Sequence, residues 1–427
     1  MQHGSPPQAV ILPSASAGSF MAPMIILTTL FFMWGLLTSL NDVLVPHLKA
    51  VYSLSYMEAM LVQSCFFGAY LVASIPAGIL IRRIGYQNGV IAGLAVAAGG
   101  CLLFYPAATQ GFAIFLLALF TLACGITVLQ VAANPFVTVM GKPETASRRL
   151  TLTQAFNALG TAIAPALGGM LILGGHAAES VNLAAMSAAD ALAYQSQQAQ
   201  SVQLPYIALA VLLMLMAILF TFARLPKIAD SAASANANGS LLEHRHLVLG
   251  AIGIFLYVGA EVSIGSFLIN FLGEPGVGGL PLAEAAHYVS YYWAGALVGR
   301  FAGYFAMRHI APGKAIATCA VGAMLLILLA ISAHGSLAMW SMIAVGLCNA
   351  IMFPVIFSMA VHRLGSLTGR ASGLLCMAIV GGAFIPLMQG AMADAMGLHL
   401  SFLVPAACYA YILYFGLRFS RQSGSGD

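Results

Sequence analysis

From Ile84 through Gly141 the chain contains no Lys, Arg, Asp or Glu, and the same holds from Ala315 through His362. Runs of that length cannot build a solvated surface, so their side chains must face hydrocarbon or one another. Charged residues make up only 7% of the 427 residues, against about 25% in ordinary soluble domains. No other segment can therefore supply the missing polar surface. A membrane-crossing helix takes about 20 apolar residues, and a 61% hydrophobic content furnishes roughly a dozen of them. The reading is an all-α, polytopic membrane protein. Soluble enzymes and nucleic-acid binders are excluded.

Hydropathy divides the chain into twelve expected spans: 24–45, 59–81, 88–106, 112–136, 150–174, 204–223, 247–272, 282–306, 314–333, 337–361, 370–394 and 400–419. The expected organisation is an N-terminal tail 1–23, a six-helix half 24–223, a linker 224–246, a second six-helix half 247–419 and a tail 420–427. The linker holds charges around the Ala/Ser/Asn/Gly-rich stretch Ser231–Ser240 and reads as flexible. A second long loop, about Gly175–Gln203, carries no recognisable chemistry. Met1–Ala22 lacks Lys and Arg and is broken by Pro, Ser and Gly, so it does not read as a signal peptide. Cys65, Cys101, Cys124, Cys319, Cys348, Cys376 and Cys408 all lie in apolar stretches and read as packing residues rather than disulfide or metal ligands.

Orientation follows from the 16 basic residues. All but Lys49 and Arg300 fall on one side of the expected topology, and basic loops stay cytoplasmic. Both termini and the linker are thus expected in the cytoplasm, with the protein in a bacterial-type inner membrane. The halves also echo each other. Phe66, Phe67, Gly78 and Arg83 are matched at one constant offset by Tyr291, Tyr292, Gly303 and Arg308. Asn134-Pro135-Phe136 is similarly echoed by Phe353-Pro354, and Pro165 by Pro386. Two parallel six-helix repeats joined by a cytoplasmic linker describe the major facilitator architecture, in which substrate binds between the halves near the midplane.

Ionisable groups at bilayer depth are costly and mark function by default. Asp42 lies near the outer end of span 1, beside Asn41; a local pairing with His47 or Lys49 is the alternative. Glu261 lies about halfway along span 7. Neutral polar residues form stripes: Thr127, Gln130, Asn134 and Thr138 share one helical face of span 4, and Gln154, Asn157 and Thr161 one face of span 5. Asn349 adds an amide in span 10. Interhelical bonding would also produce such stripes. Amides both donate and accept, which suits a neutral polyol. Trp34, Tyr257 and Trp293 are candidates for contact with a sugar ring. His287, Tyr288, Tyr291 and Tyr292, at the start of span 8, fit an interfacial aromatic belt.

Several of these segments resemble one family. Phe31-Phe32-Met33-Trp34-Gly35, followed by Leu40-Asn41-Asp42-Val43-Leu44-Val45-Pro46-His47-Leu48, resembles the first helix of the fucose–proton symporter family. Gln130-Val131-Ala132-Ala133-Asn134-Pro135-Phe136 and the run from Arg149-Leu150 to Gln154-Ala155-Phe156-Asn157 do so as well. Gly259-Ala260-Glu261-Val262-Ser263-Ile264-Gly265-Ser266-Phe267 is similar to the glucose/galactose branch, and Met377 to Gly382 with Pro386 also fits. The resemblance implies cation-coupled import of a neutral hexose, with Asp42 at the titrating position of the first helix. Fucose members carry a carboxylate where this chain has Gln130, which favours the glucose/galactose-like branch. N-acetylglucosamine or fucose remain alternative substrates, and sodium the alternative to the proton. The signature after span 2 keeps Gly78, Leu80, Arg83 and Gly85, with Arg82 where an acid is usual.

The expected partners are therefore a sugar, a coupling cation and the lipid bilayer. The protein is expected to act as a monomer, without cofactor or metal. Asp42 is the expected proton-coupling residue. Asn41, Gln130, Asn134, Gln154, Asn157, Glu261 and Asn349 form the expected sugar site with Trp34, Tyr257 and Trp293. A proton-driven drug exporter is the rival within the fold, and an intramembrane enzyme the rival outside it. The spans show no HExxH, GxSxG or paired catalytic Asp to support an enzyme.

Overall fold

The computed structural model describes residues 21–52, 56–171, 203–223, 225 and 240–419. The loop 175–202, most of the linker and the tail 420–427 lie outside the described residues. Among those described, all regular structure is helical. The N-terminal half holds α1 (Met21–Tyr52), α2 (Tyr56–Gln110), α3 (Phe112–Val139), α4 (Ala146–Leu171) and α5 (Gln203–Phe222). The C-terminal half holds α6 (Arg245–Gly273), α7 (Leu282–Ala306), α8 (Pro312–Ser332), α9 (Gly335–Asn349) and α10 (Met352–Ala360). It continues with α11 (Thr368–Met377), α12 (Gly381–Met396), the short α13 (Leu398–Ser401) and α14 (Leu403–Phe419).

Among the described residues, eight helical stretches are long and apolar enough to cross a membrane. One of them, Cys65–Ala107, is 43 residues long, or about 65 Å at 1.5 Å per residue. It is kinked at Gly85, whose φ of 81° lies where only glycine sits without strain. The helices α4 and α7 are not among the eight; these are the helices that carry Gln154 and Asn157, and His287 and Arg300. By contrast α5 is apolar all round. It buries Leu213 and Phe220 while leaving Leu204 and Phe222 more than three-quarters exposed, as a helix between protein and lipid does.

The two prolines noted as echoes sit at matching devices. Proline has no N–H, so each leaves the carbonyl four residues earlier without its helical donor. Pro135 frees Val131, and the Ser372 hydroxyl from α11 donates to that oxygen at 3.0 Å. Pro354 frees Ala350, and Arg300 Nε from α7 donates to it at 3.2 Å. The chain breaks its helix there, between α9 and α10. In an apolar medium such groups must be satisfied internally, and these side chains do so.

The halves meet at the ends that carry the basic loops. Ser147 of α4 and Ser358 of α10 lie 2.6 Å apart, oxygen to oxygen. Because Ser358 donates to the Val355 carbonyl, Ser147 is the donor of that bridge. Arg148 lies over the Tyr304 ring at 5.0 Å. A Cβ on Gly373 would stand 2.7 Å from the carbonyl oxygen of Ser74, so only glycine permits this contact between α11 and α2.

Candidate functional site

One cluster of polar residues lies in the N-terminal half. The stripe on α3 is buried along its length: Thr127, Gln130, Asn134 and Thr138 are each at most 6% exposed. Two of its members look inward to their own helix, since Thr127 donates to the Ala123 carbonyl and Thr138 to that of Pro135. The two amides reach other helices. Gln130 Nε2 donates to the Tyr70 hydroxyl of α2. Gln154 Nε2 of α4 approaches Asn134 Oδ1 at 3.5 Å, a long contact. Asn134 Nδ2 is buried and has no hydrogen-bond partner.

Arg149 sets this register. Its guanidinium donates to the carbonyls of Val137 and Thr138, in the last turn of α3, and to that of Lys142 beyond it. It thereby caps orphan carbonyls at a helix end and ties the start of α4 to the end of α3. Asn134 and Gln154 are brought opposite each other by that tie. Asn157, one turn further along α4, donates to the Phe31 carbonyl of α1 at 3.0 Å. The approach is close because Gly35 faces α4, where a Cβ would collide with the Asn157 carbonyl. Trp34 is buried and tilted against Phe31, ring centroids 5.2 Å apart. The helical backbone of α1 carries Asn41 and Asp42 about two turns beyond Trp34, but their side chains lie outside the described residues.

A second cluster fills the C-terminal half and centres on Asn349. Its Nδ2 donates to the Tyr292 hydroxyl at 2.7 Å, and its Oδ1 accepts from Tyr409 at 2.5 Å. Its backbone carbonyl accepts from Tyr257 at 2.9 Å. All three tyrosines and Asn349 are fully buried. Tyr292 also donates to the backbone carbonyl of Glu261 at 3.3 Å. Glu261 itself presents an inaccessible Oε1 with no hydrogen-bond partner, within the electrostatic reach of Arg300. Trp293, 37% exposed, packs edge-on to Tyr292 at 5.1 Å. Across the two halves, Phe156 of α4 meets Phe301 of α7, ring centroids 6.3 Å apart.

The structure thus gathers Trp34, Gln130, Asn134, Gln154 and Asn157 in one half, and Tyr257, Glu261, Trp293 and Asn349 in the other. Among the buried polar atoms without a partner, each of these two clusters contributes one: a donor at Asn134 and an acceptor at Glu261. Burying such atoms costs roughly 1–3 kcal/mol each, and a ligand rich in hydroxyls satisfies both kinds at once. Sequence reasoning missed Tyr70, Tyr409, Ser372 and the role of Arg300. The proline echo held the signal for two of these, because a proline inside a helix announces a carbonyl in need of a donor.

A family model, Major Facilitator Superfamily, matches residues 24–385. The chain is 55% identical over 399 residues to the glucose/galactose transporter of Brucella abortus biovar 1 (strain 9-941), covering 93% of each. It is 35% identical over 432 residues to the L-fucose-proton symporter of Escherichia coli (strain K12), covering 98% of this chain and 97% of that one. Among solved structures it is similar to that of the major facilitator transporter FucP in the outward conformation. The TM-score is 0.85 at 33% identity, over 94% of this chain and 99% of that one.

Proposed function

The chain belongs to the major facilitator superfamily, and from that premise we propose that it imports a neutral hexose together with a proton. The sugar is of the glucose/galactose type, and transport proceeds by alternating access to a site between two halves. The relative at 55% identity supports the sugar class, and the symporter at 35% identity supports the proton. Fucose or N-acetylglucosamine as substrate, and sodium as coupling ion, are the alternatives that the same experiment separates. Transport, not catalysis, is the activity.

Twelve spans belong to this reading: α2 supplies two across the Gly85 kink, and α1, α4 and α7 supply one each. The halves are 24–223 and 247–419, joined by the linker 224–246, with tails 1–23 and 420–427. Both tails and the linker lie in the cytoplasm, and the protein sits as a monomer in a bacterial-type inner membrane. The contact of Ser147 with Ser358 joins the two halves at the end that this reading places on the cytoplasmic side.

Two unpartnered buried atoms within the polar clusters, Asn134 Nδ2 and Glu261 Oε1, carry the proposal. Asn134 and Gln154 bind sugar hydroxyls from one half and Glu261 accepts from the other, with Gln130, Asn157 and Asn41 beside them. Asn349 and Tyr257 are committed to each other and shape the wall, while Trp34 and Trp293 flank the ring. Asp42 takes the proton. Outward-facing, it loads from the more acidic exterior; inward-facing, it releases to the cytoplasm. Proton and sugar must favour the same transition for their binding to be linked.

Uptake of radiolabelled glucose and galactose into proteoliposomes, with and without an imposed proton gradient, tests this reading. Accumulation above the external concentration is expected only with the gradient, and unlabelled galactose should compete better than fucose. Accumulation driven by a sodium gradient alone overturns the proton assignment. Competition by N-acetylglucosamine but not galactose overturns the substrate assignment.

A further inference from the structure

A cleft of about 400 Å³ opens where the first turn of α6 meets the last turns of α14. Its lining is Arg245, His246, Leu249, Tyr414, Arg418 and Phe419. Two guanidiniums from opposite ends of the C-terminal half thus converge on one hollow. The helices are pinned there by the Tyr411 hydroxyl, which donates to the Leu249 carbonyl at 2.9 Å. Like charges gathered in this way repel, and no carboxylate is among the lining residues. Among the described residues neither arginine forms a salt bridge. The half-buried His246 ring lines the same cleft.

We propose that this cleft binds a phosphate group, and that its source is the headgroup of an anionic phospholipid. Arginine suits phosphate because its planar fork donates two parallel charge-assisted bonds. Basic pockets between spans at the cytoplasmic side are suited to lipid headgroups. The lipid source follows from the wall: Tyr414 is 51% exposed and presents a ring beside the guanidiniums, the amphipathic pairing found at the headgroup level. The site lies away from the polar clusters of the two halves and does not depend on the transport reading.

The test is the thermal midpoint of the full-length protein purified in detergent. Three additions are compared: dioleoylphosphatidylglycerol, dioleoylphosphatidylcholine and inorganic phosphate. Ligand that binds the native state raises the midpoint by mass action. Phosphatidylglycerol should raise it by about 3 °C or more, and phosphatidylcholine should not. The variant Arg245→Gln/Arg418→Gln should keep the wild-type midpoint in phosphatidylcholine, showing that it folds, and lose the phosphatidylglycerol shift. The control Arg83→Gln/Lys314→Gln removes the same charge elsewhere and should keep the shift. Native mass spectrometry should count one fewer tightly bound phosphatidylglycerol in the first variant only. An equal shift in both double variants, or none in the wild type, overturns the site. A full shift from inorganic phosphate, with no further gain from the lipid, overturns the lipid source.

Discussion

The hydroxyl of Ser372 stands 3.0 Å from the carbonyl oxygen of Val131, the one that Pro135 leaves without a helical donor. The bond joins α11 of one half to α3 of the other, and it lies in the same α3 turn as the Gln130 and Asn134 amides. The carbonyl freed by Pro135 in α3 is therefore satisfied by the opposite half only while the two are together. Its counterpart, Arg300 on the Ala350 carbonyl, stays within one half. The two repeats solve the same proline problem, but only one solution depends on the conformation.

Ser372→Ala should therefore weaken the contact between the two halves. Loss of the donor leaves a buried carbonyl unpaired, at a cost of about 1–3 kcal/mol. The expected readouts are a lower thermal midpoint and greater labelling of a cysteine introduced near Ser147. Ser372→Thr, which keeps the hydroxyl, should behave like wild type. If Ser372→Ala left both readouts unchanged, the bond would contribute nothing to that contact.

Asp42→Asn mimics the protonated acid permanently. It should abolish uphill accumulation while preserving sugar binding and counterflow, and binding should lose most of its dependence on pH. Accumulation by this variant under a proton gradient alone would remove Asp42 from the coupling step and favour its pairing with His47 or Lys49.

Gln154→Ala and Asn157→Ala should each weaken sugar binding by about 1 kcal/mol, the net worth of one hydrogen bond, or roughly fivefold in Kd. The structure separates them by a second measurement. Asn157 ties α4 to α1 through the Phe31 carbonyl, so Asn157→Ala should also lower the thermal midpoint, and Gln154→Ala should not. Calorimetric titration showing wild-type affinity in both variants would sink the role of α4 in binding.

Glu261→Gln should lower affinity yet leave gradient-driven uptake in place, because the acceptor is weakened but coupling stays with Asp42. Exchange without accumulation in this variant would mean that the two carboxylates trade roles.

His362, just past the end of α10, supplies a pH prediction. Burial pushes its pKa below the ordinary 6.5, Arg363 adds to the depression, and Glu144 opposes it. The unfolded chain therefore takes up a proton at a higher pH than the folded one. Stability is full above about pH 6.5 and is lost as pH falls below it toward the lower pKa of the folded state. The thermal midpoint should drop between pH 7.5 and pH 5.5, and the drop should shrink in His362→Gln. An identical drop in the variant assigns it to other groups.

Uncharged runs such as Ile84–Gly141 dictate helices in lipid, because backbone polar groups there have no partner but their own chain. Helical periodicity likewise places Gln130 and Asn134 on one face from spacing alone, and the structure buries both. What each polar atom does on that face was not legible. Sequence treats Asn134 and Asn349 as equivalent amides. In the fold, Asn349 has both side-chain atoms taken by tyrosines of α7 and α14, whereas Asn134 keeps a donor unpartnered. Hydrogen bonds reach only about 3 Å, so the outcome depends on how helices distant in sequence are rotated and spaced. Small residues such as Gly35 and Gly373 set that spacing through the side chains they lack, which only the packed structure can express.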